Sequence, residues 1–563
     1  MNRSRDYARG LIRITVALTA ILASGCTDGE APRNHILSDQ SILIIPDPAS
    51  VERLPGEFLL SAGTRIVAAD DAGLRTAAHL NKVLADNCGF ELEVTAAPDA
   101  PNSIRLSTMS PHEVSNPEAY SMLIEPEQIR ISGSEHGLFY AVQSFAMLLP
   151  TEPKIVTAIP GAYIQDTPRF RYRGMHLDVA RHFMPVDFVK KYIGLISQYK
   201  FNYFHLHLTD DQGWRIEIKK YPKLTEIGAK RTETVIEKNY RPYKGDGKPV
   251  EGFYTQSEIR EIVEFAKARY VTVIPEIDLP GHSSAALAAY PQLGCAQNYR
   301  YKVKTTWGGF PDVFCPSEES FQFLKEVIDE VIELFPESPY LHIGGDEVDP
   351  QHWDSSALVD KLRETQKLNS PQDVQAWFLG RIEEHVNFRG KKIIGWDEIL
   401  DGKLSPEATV MSWRGLESGI RSARSKRPTI ICAGSSLYFD HPQDRPELEP
   451  LALGRPITLR NVYEFEPVPA VLTADESQYI IGAQGCVWTE FIKQPRDVEY
   501  MSFPRAIALA EVLWTPAGKR NYRGFLTRLT SELSKLDRVK VNYRVPEPVD
   551  LETNMGQSIR SRH

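Results

Sequence analysis

The stretch FQFLKEVIDEVIELFPESPYLHIGGDEVDP, residues 321–350, contains a helix, a strand and a chemical question. Phe321, Leu324, Ile328 and Val331 recur at helical spacing, so FQFLKEVIDEVIELF reads as a helix. PYLHIGG is a short apolar run ended by two glycines and reads as a strand entering a turn. Asp346 and Glu347 follow side by side. Two charged neighbours repel, and a fold gains nothing from that. A solvated turn would account for them, since glycine and aspartate are common turn residues. So would a pair of carboxylates held for acid catalysis, one kept protonated by its surroundings.

The same helix-to-strand order recurs on both sides of this stretch. RYRGMHLDV (171–179), NYFHLHL (202–208), VTVIPEID (271–278), KKIIGWDE (391–398), ATVMSWRG (408–415), PTIICAGS (428–435) and YIIGAQGCVWTE (479–490) read as further strands. VDFVKKYIGLISQY, SEIREIVEFAKARY, VQAWFLGRIEEHVNFRG and RAIALAEVLW read as helices between and after them. Continuous apolar strands alternating with helices mean a parallel sheet covered by helices. With PYLHIGG there are eight strands, which predicts a (β/α)8 barrel, an α/β fold whose site lies at the C-terminal strand ends. An open doubly wound sheet is the competing topology, but no GxGxxG follows a strand.

Those strand ends are read as carrying a repeated polar and aromatic load: Arg173, Asp178, Arg181 and His182; His207, Asp210, Asp211 and Trp214; Glu276, Asp278 and His282; His342, Asp346 and Glu347; Trp396, Asp397 and Glu398; Trp413 and Arg414; Tyr438, Asp440 and His441; Trp488 and Glu490. A purely structural barrel has no reason to gather them. Acidic and aromatic walls without a metal-ligand motif point to sugar chemistry, where a proton donor and help for an oxocarbenium-like centre are required. Adjacent carboxylates make a poor nucleophile and acid pair, which points to an attacking group from the substrate.

Taken in order, RGMHLDVARHF, HLHLTDDQGWR, EIDLPGH, HIGGDE, GWDE, MSWRG and VWTE closely resemble the family-20 glycoside hydrolases, the β-N-acetylhexosaminidases. The resemblance covers about residues 150–520. It implies that Glu347 is the general acid and later base, and that Asp346 grips the 2-acetamido N–H and stabilises an oxazolinium intermediate. It implies that Tyr438 donates to the acetamido carbonyl, and that His282, Asp278 and one of Asp210 or Asp211 form a support network behind the acid. Arg173, Asp440 and Glu490 would bind sugar hydroxyls, and Trp396, Trp413 and Trp488 would box the acetamido group and sugar face. The substrate would be a glycan with a terminal β-linked N-acetylhexosamine, cleaved from its non-reducing end with retention. Two other readings stay open: a retaining β-glycosidase with a protein nucleophile at Asp397, Glu398 or Glu490, and a non-catalytic glycan-binding lipoprotein.

The resemblance also frames the rest of the chain. The unit from 41 to 165 looks like the small α+β domain that precedes this family's barrel, which runs here from 166 to 520; residues 521–563 are a C-terminal extension. Residues 1–26 have a basic head, an apolar run and the sequence Ala23-Ser24-Gly25-Cys26, which resembles a lipoprotein signal with Cys26 as the lipidated residue. Thr27 after the cysteine resembles outer-membrane sorting, and residues 27–40 read as a linker. The chain is therefore expected in the periplasm or at the cell surface. A net charge of -9 with no long basic run excludes a nucleic-acid surface. No close CxxC pair and no HExxH occur, and no metal or cofactor is assigned. Cys295 and Cys315 share one loop-rich region and could pair under oxidising conditions.

Overall fold

The computed structural model describes residues 42–546 apart from 98, 99, 111, 113, 114, 297 and 403. The signal sequence, Cys26, the linker to residue 40 and the end of the C-terminal extension lie outside the described residues. Among the described residues no helix is long and apolar enough to cross a membrane.

Eight parallel strands close into a barrel in chain order: Tyr172–Asp178, Tyr203–His207, Thr272–Glu276, Tyr340–His342, Lys392–Trp396, Thr409–Ser412, Thr429–Ile431 and Ile480–Val487. All eight runs read from the sequence are present, and the closed barrel excludes the open sheet. Every residue of the first and last strands is buried, as expected of strands covered on both faces. The helix Glu318–Leu334 shows why its sequence folds as it does: Ser317 caps it by accepting the Ser320 amide, and Phe321, Leu324, Ile328 and Val331 are buried. The helix Pro371–Phe388 begins with a capping box from Ser370 and Asp373, with proline in its first turn.

The interior of the barrel is layered. Tyr172, Ile274, Ile394, Met411, Ile430 and Ile481 form an apolar cluster that continues to Trp396 and Trp488 at the upper end. Tyr172 and Tyr203 stack with centroids 4.5 Å apart near the strand starts, and His176, His205 and His342 lie above them.

The preceding domain is a seven-stranded mixed sheet with the helices Asp71–Cys88 and Glu135–Leu148. The first helix ends at Gly89, whose φ of 79° is left-handed. Two features were not legible in the sequence. The apolar run SILIIPDP (41–48) reads as a strand, but residues 42–48 form none, and the strand Val156–Asp166 is extra, pairing with Ser50–Ser61 and Tyr120–Ile124. Pro160 and Gly161 inside that strand mask its alternation.

Asp166 ties the sheet to the barrel. It accepts hydrogen bonds from Tyr120 Oη (2.8 Å), Lys200 Nζ (2.9 Å) and Trp514 Nε1 (2.8 Å), all buried. The helix Tyr522–Arg538 braces the same junction, donating from Lys535 Nζ to the Met147 carbonyl and from Arg538 to the Thr151 carbonyl.

Candidate active site

The Arg173 assignment requires correction. Arg173 is the second residue of its strand, and the site lies past the strand's end, roughly 16 Å further along at about 3.3 Å per residue. Its side chain is 1% exposed and its guanidinium is fully engaged. It donates to Glu118 Oε1 (2.6 Å) and Oε2 (2.9 Å), to the Lys200 and Phe170 carbonyls, and to Tyr140 Oη. It locks the barrel floor to the preceding domain and cannot reach a sugar. The arginine at the functional end is Arg181. It lies 2.8 Å from Asp210 and 3.3 Å from Asp178, donates to Gln212, and sits 5.1 Å from the Trp488 ring centroid. The available signal was position: Arg181 follows the strand, whereas Arg173 begins it.

The two glycines of HIGGDE have a steric reason. A Cβ on Gly344 would fall 1.6 Å from Asp278 Oδ1, and φ there is +63°. Gly345 has φ +99° and donates its amide to Asp278 Oδ1 at 3.2 Å. Glu347 itself adopts φ +47°, an uncommon conformation for a non-glycine residue. The strand is broken here, so consecutive side chains need not point to opposite faces. Gly344→Ala is expected to expel Asp278 from its place. Activity should fall more than tenfold, and stability by about 1–3 kcal/mol, measured by kcat/KM and chemical unfolding.

Asp346 and Glu347 each bring an oxygen to 3.7 Å from His282 Nε2, with side chains 15% and 48% exposed. His282 Nδ1 lies 3.2 Å from Asp210 Oδ1 and 3.1 Å from Asp211 Oδ2, so the structure uses both aspartates where the sequence expectation used one. Asp211 is held by the Ser284 amide and hydroxyl. Burial disfavours charge on His282, but Asp210, Asp211 and Asp346 override it and raise the imidazole well above its usual range. Burial raises Asp346, with the His282 charge opposing. Asp278 is raised well above the ordinary carboxylate range by burial and by Asp346.

The aromatic residues make one continuous wall. Trp396 and Trp488 centroids are 5.7 Å apart, Trp488 and Tyr438 6.1 Å, and Tyr438 stacks on Trp413 at 6.3 Å. Asp440 and Glu490 are raised by burial, Asp440 further by its proximity to Glu490, while Arg181 opposes the rise at Glu490. Trp488 Nε1, Asp440 Oδ1, Glu490 Oε2 and Asp346 Oδ1 are buried without a hydrogen-bond partner among the described residues. Such orphaned atoms are costly in a finished core and natural in a pocket that receives a hydroxylated ligand.

Asp397 and Glu398 are engaged differently. Asp397 is fully buried and accepts from the Arg414 amide and guanidinium. Glu398 accepts from Trp413 Nε1 at 3.0 Å, and burial with the Asp346 charge raises it from 4.5 to about 8. Because folding raises this pKa, the native state binds the extra proton and stability falls as pH rises through that window. Glu398→Gln keeps the Trp413 bond and removes the titration. Its Tm is expected to gain on the parent as pH moves from about 5 to about 8 in thermal melts.

Among the described residues, ligand-type atoms approach within 4.8 Å in four groups: His176, His205 and Glu276; His207, Asp210 and Asp278; Asp210, Asp211 and His282; Asp278, His282 and Asp346. In these groups Glu276 and Asp210 already accept from histidine or guanidinium donors. The rim segment beside the acid is closed by a Cys295–Cys315 disulfide, and Gly309 in that loop lies against Glu347. Cys88, Cys432 and Cys486 are buried free thiols.

Comparison with known proteins gives the same picture. Residues 170–517 match the model of the glycosyl hydrolase family 20 catalytic domain, and residues 41–167 match that of glycosyl hydrolase family 20, domain 2. The chain belongs to glycosyl hydrolase family 20. A β-hexosaminidase of Porphyromonas gingivalis is 40% identical over 526 residues, covering 91% of this chain and 65% of that protein. This family 20 hydrolase thus spans just under two thirds of that relative's length. The structure of a Vibrio harveyi GH20 exo β-N-acetylglucosaminidase in complex with N-acetylglucosamine superposes with a TM-score of 0.79 at 34% identity, covering 90% of this chain and 79% of that one. The GH20 β-N-acetylhexosaminidase of Streptomyces coelicolor A3(2) does so at 0.78 and 29% identity, covering 90% and 98%.

Proposed function

We propose that this chain is an exo-acting, retaining β-N-acetylhexosaminidase that removes terminal N-acetylglucosamine or N-acetylgalactosamine by substrate-assisted catalysis. One observation carries the mechanism: Asp346 and Glu347 both reach the same His282 nitrogen. In a retaining glycosidase with a protein nucleophile, two carboxylates flank the sugar from opposite sides, about 5–5.5 Å apart. Here the two stand together on one side. The other carboxylates are poorly placed as nucleophiles: Asp397 is buried beneath Arg414, Glu398 is raised to about 8 and bonded to Trp413, and burial raises Glu490. The attacking oxygen therefore comes from the substrate's own acetamido group.

Glu347 gives its proton to the glycosidic oxygen as the acetamido carbonyl oxygen attacks the anomeric carbon and the leaving group departs. Asp346 accepts the acetamido N–H and faces the cationic oxazolinium ring. Its charge is disfavoured by burial and becomes favoured as positive charge develops, which is stronger binding in the transition state than in the ground state. Water, deprotonated by Glu347, then opens the ring from the face the leaving group vacated, giving net retention. Tyr438 orients the carbonyl, and Trp396, Trp413 and Trp488 exclude water around it. Arg181, Asp440 and Glu490 bind the hydroxyls of the terminal sugar, the role first assigned to Arg173.

The test is a panel of chromogenic β-glycosides and purified glycans. N-acetyl-β-glucosaminides or galactosaminides should be cleaved, and the matching β-glucoside, which lacks the amide, should not. Equal cleavage of both would overturn substrate assistance.

Export fits the Cys295–Cys315 disulfide, because such bonds persist in oxidising compartments. The finer reading is a lipoprotein anchored through Cys26 at the outer membrane. Mass spectrometry of the mature N-terminus tests it: an unmodified terminus beyond Cys26 would reject the anchor.

A further inference from the structure

Beneath the reaction centre lies a buried carboxylate that the mechanism above does not use. Glu276, the last residue of the third barrel strand, is wholly inaccessible. Its Oε2 accepts from His207 Nδ1 at 2.5 Å and lies 3.1 Å from His205 Nε2. Its Oε1 accepts from Trp396 Nε1 at 3.0 Å and lies 2.8 Å from His342 Nδ1. A buried anion is tolerated only when donors converge on it, and they converge here from the second and fifth strands, with His342 of the fourth, whose Nδ1 accepts from the Gly344 amide, beside them.

Two chains lead outward from this group. The first runs through His207, whose Nε2 lies 2.9 Å from Asp210 Oδ2. With a carboxylate at each ring nitrogen, His207 carries both protons. Asp210 continues to His282, and His282 to Glu347. The signs alternate along the line: Glu276 negative, His207 positive, Asp210 negative, His282 positive. The second chain is one link long, the Trp396 indole N–H, and Trp396 packs against Trp488 in the aromatic wall.

We propose that Glu276 is a positioning residue that serves both ends of the reaction centre, orienting the proton donor through His207, Asp210 and His282 and fixing the acetamido pocket wall through Trp396. This rests on the hexosaminidase reading above. The groups that face Glu276 are His205 and His207 from the second strand, His342 from the fourth, Trp396 from the fifth and Asp278 beyond its own strand end, with His176 of the first strand packed on His205 and His207. Burial works against charge on His207, and Glu276 is the first of the groups that counter it.

Glu276→Gln and His207→Gln separate the two chains. Glutamine at 276 removes the charge and presents an amide N–H₂ to donors. For an alkyl glycoside, whose leaving group needs the proton, kcat of E276Q should fall about 10–100-fold. For a dinitrophenyl glycoside, which leaves unaided, the fall should be several-fold smaller. A bicyclic thiazoline, which mimics the oxazolinium ring, should bind E276Q more weakly. His207→Gln should reproduce the leaving-group effect and leave thiazoline affinity at the parent value, since the Glu276–Trp396 bond survives. In E276Q the basic limb of the kcat/KM profile should move to lower pH, because less negative charge supports His282 as a cation, and in H207Q to higher pH, because the cation that shares Asp210 with His282 is gone.

Equal losses on both substrates with unmoved pH limbs would overturn the proposal and leave Glu276 a purely structural residue. If E276Q does not fold, parent-like leaving-group dependence in H207Q overturns it alone. A parent protein that fails to cleave any acetamido glycoside would instead reject the functional reading.

Discussion

Asp346→Ala is expected to lower kcat for 4-nitrophenyl N-acetyl-β-glucosaminide by about 10²–10³-fold, about 2.7–4 kcal/mol of transition-state stabilisation. The reason is timing. The oxazolinium cation exists only after the acetamido oxygen has attacked, so a carboxylate that faces it contributes most at that moment. Asp346 is placed for this: its Oδ1 is buried with no hydrogen-bond partner among the described residues, while Oδ2 lies 3.7 Å from His282. Asp346→Asn separates charge from shape. It can still accept the acetamido N–H but does not counter the cation, so it should lose nearly as much kcat as alanine. Parent-like turnover in D346A with an unchanged unfolding transition would remove Asp346 from the mechanism. The thiazoline supplies a second readout, because its affinity should fall along with kcat if the charge acts on the ring.

How far the sequence carried these conclusions depends on the residue. The barrel was legible because all eight strands are buried on both faces and therefore read as apolar runs. The strand Val156–Asp166 was not, because Pro160 and Gly161 interrupt it and its partners lie far away in the chain. At the site, Asp346 and Glu347 announced themselves by adjacency behind two glycines, but the reason for the glycines is a contact with Asp278 that no local pattern reveals. Arg173 misled for a different reason. Residue type identified a donor fork, and position along the strand should have decided which arginine carried it: the floor of a barrel needs buried ion pairs as much as its mouth needs ligands. The Glu276 hub was half visible. Glu276, His207 and Trp396 were all placed at strand ends, yet that one carboxylate joins strands two, four and five can be read only once the barrel closes.

Glu347→Gln should separate the two halves of the reaction. Proton transfer from a positioned acid contributes roughly 10²–10⁴-fold, so kcat for natural oligosaccharides should fall by about that factor. A dinitrophenyl glycoside departs without a proton, and its oxazolinium should form at close to the parent rate and then wait, because no base remains to deprotonate water. Azide needs no base. Added azide should therefore restore turnover on the dinitrophenyl substrate, attacking the anomeric carbon while the acetamide carbonyl re-forms. The stereochemistry of the product then reports the intermediate. Acetamido attack and azide attack each invert the centre, so two inversions give the β-azide. His282 makes the contrast sharper, since in E347Q its Nε2 still lies beside Asp346 and the acetamido side of the centre is undisturbed. An α-azide product would mean one inversion and no assistance from the substrate. Parent-like hydrolysis of the oligosaccharides without azide would show that the proton comes from a group other than Glu347.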